Sequence, residues 1–217
     1  MKNSLIEAIR DIILPPMCPI CGKVNSGFLC SSCRAQIREL EKVCSYCGTP
    51  LDGERCIFCR GKNFYFYKLR SYTAYRGPIK KIIYKYKRKK IYSLKEVLAG
   101  FLEELFYKNF SGENIDLIEG IPGPHISHIC RELATKLNIP YANNLKKIKV
   151  TKQQKELGFV TRAFNLDGSF KLRDCLKVAG LNIVLIDDIF TTGNTVNEAS
   201  KVLKEAGVNK VYVLTIA

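Results

Sequence analysis

Ile183-Val-Leu-Ile-Asp187-Asp188-Ile-Phe-Thr191-Thr192-Gly193-Asn194-Thr195 runs from four apolar residues through two acids into a short loop of hydroxyls around a glycine. The apolar run reads as a buried strand, Leu181 to Asp187. Val196, Ala199, Val202, Leu203 and Ala206 follow at helical spacing, so Asn194 to Ala206 is expected to be a helix ending at Gly207. The loop therefore opens a helix N-terminus, where unpaired backbone N–H groups and the positive end of the dipole favour an anion. Two acids at the strand's carboxyl end can accept hydrogen bonds from paired ribose hydroxyls, in the crevice where open α/β sheets bind ligands. Ribose 5-phosphate fits both halves, and both acids are expected to be exposed. The competing reading is an acid pair of another fold that binds magnesium.

Outward from this stretch, Lys210 to Ile216 and Asn114 to Ile121 read as strands and Pro124 to Leu137 as a helix. Strands alternating with helices imply a parallel sheet with covered faces, so this part is α/β. Further upstream, Tyr67 to Tyr75 alternates like a strand, and Ile79, Ile82 and Ile83 mark a helix face. Ser93 and Glu96 have capping-box spacing ahead of the apolar stripe Val97, Leu98, Phe101, Leu102, Leu105 and Phe106.

The chain has 217 residues, 47% of them hydrophobic, which is enough to bury a core and excludes a disordered chain. Its formal net charge of +15 favours polyanionic partners. Much of that charge lies between Arg60 and Lys95, a span without Asp or Glu in which aromatic residues interleave with Lys and Arg. Lys80, Lys81, Lys85, Lys87, Arg88, Lys89 and Lys90 are the candidates for single-stranded nucleic acid, whose phosphates they would neutralise while rings stack on bases. The plainer reading makes the rings core and the lysines a solvated face.

Cysteines set the other end apart. Cys18/Cys21, Cys30/Cys33, Cys44/Cys47 and Cys56/Cys59 are four C-x-x-C pairs, and the second quartet repeats the first at a constant offset. Gly22 and Gly48 follow the second cysteine of each leading pair, letting the backbone turn so that both sulfurs face one ion. Four thiolates match tetrahedral zinc, and a short segment buries little core without a metal. Two structural zinc sites paired sequentially are expected, with an interleaved pairing left open by spacing alone. A disulfide framework would need an oxidising compartment, so the protein is expected to be cytoplasmic. No apolar run reaches the about eighteen residues of a membrane helix, and no membrane insertion is expected. Met1 to Ile13 reads as a short amphipathic helix stopped by Pro15-Pro16, and Cys130 and Cys175 as ordinary buried thiols. The division is then a zinc-binding head over residues 1–62 and an α/β domain over 63–217.

The segment from Ile183 to Thr195 resembles the phosphoribosyl pyrophosphate motif of type I phosphoribosyltransferases: four apolar residues, two acids, two variable residues, then Thr-Thr-Gly-x-Thr. The resemblance implies that fold, a parallel sheet with helices on both faces. It also implies that Asp187 and Asp188 hold the ribose hydroxyls while Thr191, Thr192, Gly193, Asn194 and Thr195 hold the 5-phosphate. Taken in order, the cysteine head, Tyr75-Arg-Gly77, Tyr84-Lys-Tyr-Lys87, the segment Gln154 to Phe170 and this motif are similar to the ComF family of competence proteins. That similarity implies a role in uptake of transforming DNA, with single-stranded DNA, phosphoribosyl pyrophosphate and proteins of the uptake machinery as partners.

One departure concerns the pyrophosphate end. The family's long basic loop is missing, because Ile121-Pro122 runs straight into Gly123-Pro124-His125-Ile126-Ser127-His128. The two histidines read as capping and lining a helix, with phosphate contact as the alternative. An active enzyme would displace pyrophosphate from a magnesium-bound ribosyl donor, through positioning and electrostatics. The missing loop favours a binding protein over an active phosphoribosyltransferase of nucleotide metabolism.

Overall fold

A computed structural model describes residues 17–25, 29–148, 168–174 and 177–217. The helix expected over residues 1–13, most of the segment 154–170, and Cys175 lie outside the described residues. The main sheet contains β1 (Lys68–Ser71), β2 (Leu117–Gly120), β3 (Tyr141–Ala142), β6 (Asn182–Asp187) and β7 (Lys210–Thr215), all paired in parallel, in the order β1-β7-β6-β2-β3. β4 (Leu145–Lys147) and β5 (Phe170–Leu172) form a separate antiparallel pair.

Side chains alternate across a strand, and here the alternation sorts two cores. Ile118, Val184, Ile186, Tyr212 and Leu214 face one side with α2 (Gly77–Arg88), α3 (Lys95–Phe110) and α4 (Pro124–Leu137). Leu117, Ile183, Leu185, Val211 and Val213 face the other, with α5 (Asn194–Glu205), Phe66, Leu145 and Phe170. Both faces are covered, which is why the strands read as continuous apolar runs. The chain leaves β2 through α4 toward β3, and leaves β6 through α5 toward β7. Between the carboxyl ends of β2 and β6 the topology therefore switches direction, and a crevice opens there.

The expected elements are present with trimmed ends. Tyr67 N–H donates to Val211 O, and Tyr72 N–H to Thr215 O, so backbone pairing continues past β1 on both sides. The capping box at Ser93 does not form. A 3₁₀ turn, Tyr92–Leu94, precedes α3, so Ser93 sits inside a turn, and Leu94 precedes the helix with no side-chain cap.

The cysteine head packs on this core. α1 (Ser31–Arg34) lies in the first quartet, and Leu40 N–H, between the quartets, donates to Tyr72 O at 3.1 Å. Leu69 N–H in β1 donates to Tyr46 O, in the second quartet, at 2.9 Å.

Candidate functional site

Asp187 and Asp188 end β6 at the switch point, and both are buried, with exposures of 8% and 7%, not exposed as expected. Asp187 Oδ1 accepts the Asp188 N–H at 2.8 Å. Burial, reinforced by the charge of Asp188, pushes the Asp187 carboxyl up to about 7. Asp188 goes the other way: burial opposes its ionisation, but His125 and Lys87 outweigh burial and hold it below the usual carboxylate range. Lys87 Nζ lies 2.6 Å from Asp188 Oδ2, and His125 Nε2 lies 3.3 Å from the same oxygen, as ion-pair contacts without hydrogen-bond angles.

These contacts bear on the reading of two residues. His125 neither caps α4, whose preceding Gly123 has no side-chain cap, nor merely lines it; it turns onto Asp188. The Tyr86 hydroxyl fixes its backbone by donating to His125 O at 2.6 Å. His128 instead meets the Tyr92 ring edge-on at 5.0 Å. Lys87, one of the nucleic-acid candidates, also pairs with the acids, because the face of α2 that buries Ile79, Ile82, Ile83 and Tyr86 brings the last turn of the helix to the end of β6.

The loop after the acids is held from behind. Gly193 has φ +79°, and a Cβ there would come within 2.9 Å of the Phe190 ring, so only glycine fits without displacement. Phe190 N–H donates to Ala217 O at 2.6 Å, and Ala217 N–H to Asp188 O at 3.0 Å, which anchors the loop's start. No side chain caps α5 at Gly193, and Thr191 and Thr192 are exposed. The arrangement offers backbone N–H groups and hydroxyls to one anion beside a carboxylate pair. Asn194 and Thr195 open the helix, half-buried.

Both cysteine quartets close sequentially: Cys18, Cys21, Cys30 and Cys33 form one cluster, and Cys44, Cys47, Cys56 and Cys59 the other, with all sulfurs of a cluster within 4.8 Å. This removes the interleaved pairing. Tetrahedral zinc with Zn–S bonds of about 2.3 Å needs sulfurs roughly 3.8 Å apart. Cys21 and Cys30 are 3.7 Å apart, Cys44 and Cys59 3.8 Å, and Cys47 and Cys56 3.5 Å, so the donor set fits the ion. Gly22 and Gly48 have φ +74° and +67°, as the knuckle turn requires.

A double zinc ribbon domain matches residues 9–61, and a phosphoribosyl transferase domain matches residues 94–217, more than half of the chain. The chain belongs to the phosphoribosyltransferase domain family. Among curated relatives it is 35% identical over 91 residues to Competence protein F of Haemophilus influenzae, covering 41% of this chain and 40% of that protein. It is 26% identical over 221 residues to DNA utilization protein YhgH of Salmonella typhimurium, covering 93% of this chain and 96% of that one. These matches bear out the resemblance to the ComF family. The B. subtilis glutamine phosphoribosylpyrophosphate amidotransferase structure aligns with a TM-score of 0.41 at 20% identity, over 57% of this chain and 26% of that one.

In this phosphoribosyltransferase-family chain the remaining basic candidates are dispersed. Lys85 Nζ donates to Pro19 O in the first ribbon at 2.5 Å, while Lys80, Lys81, Arg88, Lys89 and Lys90 are exposed on α2 and its C-terminal end. A second group of cations escaped sequence reading. Lys146 and Lys147 of β4 and Arg173, just after β5, line a cavity of about 400 Å³ with Pro122, Gly123 and Ser127, between the end of β2 and the start of α4. Only strand pairing joins them, and no local pattern could have found them. Glu119, fully buried on β2, ties the β4–β5 pair down by accepting the Asn144 N–H at 3.0 Å; burial pushes its carboxyl up to about 7. Cys130 is a buried thiol, as expected. Among the described residues no helix is long and apolar enough to cross a membrane.

Proposed function

We propose that this competence-related, phosphoribosyltransferase-like protein binds a ribose 5-phosphate ligand, such as phosphoribosyl pyrophosphate, at Asp187 to Thr195 and handles single-stranded DNA. The observation that carries the reading is a buried acid pair at the switch point, followed by a helix N-terminus at which Gly193 offers no side-chain cap and packs against Phe190. Asp187 and Asp188 accept the ribose hydroxyls, and the loop from Thr191 to Thr195 takes the phosphate. The exposed cations of α2, with Lys146, Lys147 and Arg173, supply a basic surface for a strand. Proteins named for competence and DNA utilization are similar to this chain, which supports the DNA half. Zinc in both quartets holds the head, residues 1–62, against the α/β domain, residues 63–217. Reduced thiolate ligands suit the cytoplasm.

A second reading, an active phosphoribosyltransferase, is favoured by Lys87 and His125. Two donors converging beside the ribose acids could take over the diphosphate in place of the missing basic loop. Magnesium, bound with the donor, would supply charge neutralisation there.

Calorimetric titration with ribose 5-phosphate, phosphoribosyl pyrophosphate and short single-stranded DNA tests the proposal. Both acids are buried, so Asn is the substitution that keeps their shape. The double variant Asp187→Asn/Asp188→Asn is expected to lose at least tenfold in affinity for ribose 5-phosphate, and unchanged affinity would overturn the site. Lys87→Gln should weaken phosphoribosyl pyrophosphate more than ribose 5-phosphate. Substituting Lys81, Arg88, Lys89 and Lys90 by Gln should weaken DNA alone and flatten its salt dependence, by about 0.7 in log–log slope for each phosphate no longer neutralised.

A further inference from the structure

A cavity of about 190 Å³ lies between the second zinc ribbon and the phosphate loop. Thr49 and Phe58 of the ribbon line one side, Thr73 and Tyr75 beyond β1 another, and Phe190 and Thr191 of the loop a third. It is smaller than the roughly 300 Å³ at which whole-ligand pockets begin, so it suits one part of a ligand. Its walls are mainly apolar, with threonine hydroxyls among them, the surroundings of a planar heteroaromatic ring.

The place of the cavity decides which ring. Asp188 meets His125, which comes from the first turn of α4 after β2, on one side of the end of β6. The cavity takes in residues beyond β1, which lies on the opposite side, past β7. The phosphate loop stands between the two and contributes Thr191 to the cavity wall. A phosphate held in the loop can therefore be esterified twice, once to the ribose on the acid pair and once to a nucleoside that extends toward the ribbon. The acids need free ribose hydroxyls, so the ribose they hold ends its strand.

We propose that the site takes the 3′-terminal dinucleotide of a single strand of RNA, whose last ribose keeps both hydroxyls. The last ribose sits on Asp187 and Asp188, the last phosphodiester in the loop, and the preceding base in the cavity under the second ribbon. This rests on the phosphate-loop reading above and adds the substrate class and the ribbon's part in it. Tyr75, 43% exposed with Lys80 Nζ 5.9 Å from its ring centre, is the most exposed of the wall aromatics and the one to stack on the base. Phe58 is already engaged, with Lys62 Nζ 4.2 Å from its ring centre and Phe190 edge-on at 5.5 Å.

The test is calorimetric titration of the zinc-loaded full chain with adenylyl-(3′→5′)-adenosine, with the methyl ester of adenosine 5′-monophosphate, which has the same charge and no second base, and with adenosine 5′-monophosphate. The dinucleotide should bind about tenfold tighter than the methyl ester. Tyr75→Ala should remove that advantage without changing affinity for the methyl ester, and Ala74→Phe, which fills the cavity from β1's end, should do the same. Equal binding of dinucleotide and methyl ester, with the monophosphate still bound, would overturn the cavity proposal alone. Failure of the monophosphate and of ribose 5-phosphate to bind at all would overturn the phosphate-loop reading and the cavity proposal with it.

Discussion

In the first zinc ribbon the Cys18 N–H donates to Lys23 O at 2.8 Å and the Gly22 N–H to Cys18 O at 2.8 Å; in the second, Cys44 donates to Thr49 O at 2.9 Å and Gly48 to Cys44 O at 3.0 Å. The knuckles match bond for bond, as the repeated sequence requires, but their surroundings differ. The first ribbon meets the core through side chains: Lys85 donates to Pro19 O, and Arg34 pairs with Glu104 at 2.6 Å and donates to the Tyr72 hydroxyl. Its Cys21 is exposed. The second adds a direct backbone bond to the strand. Leu69 N–H donates to Tyr46 O, and the buried Arg70 donates to Cys44 O at 3.2 Å and to Ser45 O at 2.9 Å. A Cβ on Gly48 would come within 2.6 Å of Leu69 O, so glycine there permits both the turn and the contact with β1. Cys47 is fully buried. A repeat in sequence thus yields one ribbon that leans on the domain and one that is hydrogen-bonded to its edge strand, because among the described residues only the second lies against β1.

Breaking each metal site should separate them most widely. Cys47→Ser is expected to cost one zinc and lower the melting temperature by about 10 °C or more, since β1 loses its neighbour. Cys21→Ser should also cost one zinc but lower it by less than half as much. Metal analysis with thermal melts reads both, and equal drops would erase the distinction. Next in size, Arg70→Met strands two carbonyls of the second ribbon and should cost about 2–3 kcal/mol in denaturant unfolding. Arg34→Met removes a half-exposed pair from the first ribbon and should cost less than about 1 kcal/mol. Under a mild chelator the first zinc should leave sooner, with the far-ultraviolet spectrum of the sheet unchanged; loss of both ions together would argue for one cooperative head.

A last effect lies beyond either ribbon and gauges whether their loss reaches the phosphate loop. The Asp187 carboxyl, pushed up to about 7 by burial, keeps a proton in the fold that the unfolded chain releases near 3.8. Between those values the unfolded state binds fewer protons, so Asp187 makes stability fall as pH rises from about 4 to 7. Asp187→Asn should flatten that slope, leaving the similar contribution of Glu119. The slope should survive Cys21→Ser, and its loss in that variant would show the first ribbon acting on the loop.

Local chemistry wrote much of this protein into its sequence. α4 runs from Pro124 to Leu137 as the apolar spacing predicts, and β6 and α5 end within a residue of their expected limits. The C-x-x-C pairs and the glycines after them specify both knuckles, because a turn and two sulfurs are settled within a few residues. The acids, the loop and Gly193 were legible for the same reason. Pairing of the quartets, the burial of Asp187 and Asp188, the convergence of Lys87 and His125 on one oxygen, and the cavity beneath the second ribbon were not. Each depends on which elements the sheet order brings together, and contacts between residues far apart in the chain leave no spacing to read. His125 shows the difference: as sequence it is one of two histidines opening a helix, and only the parallel pairing of β2 with β6 at the switch point makes it a neighbour of Asp188.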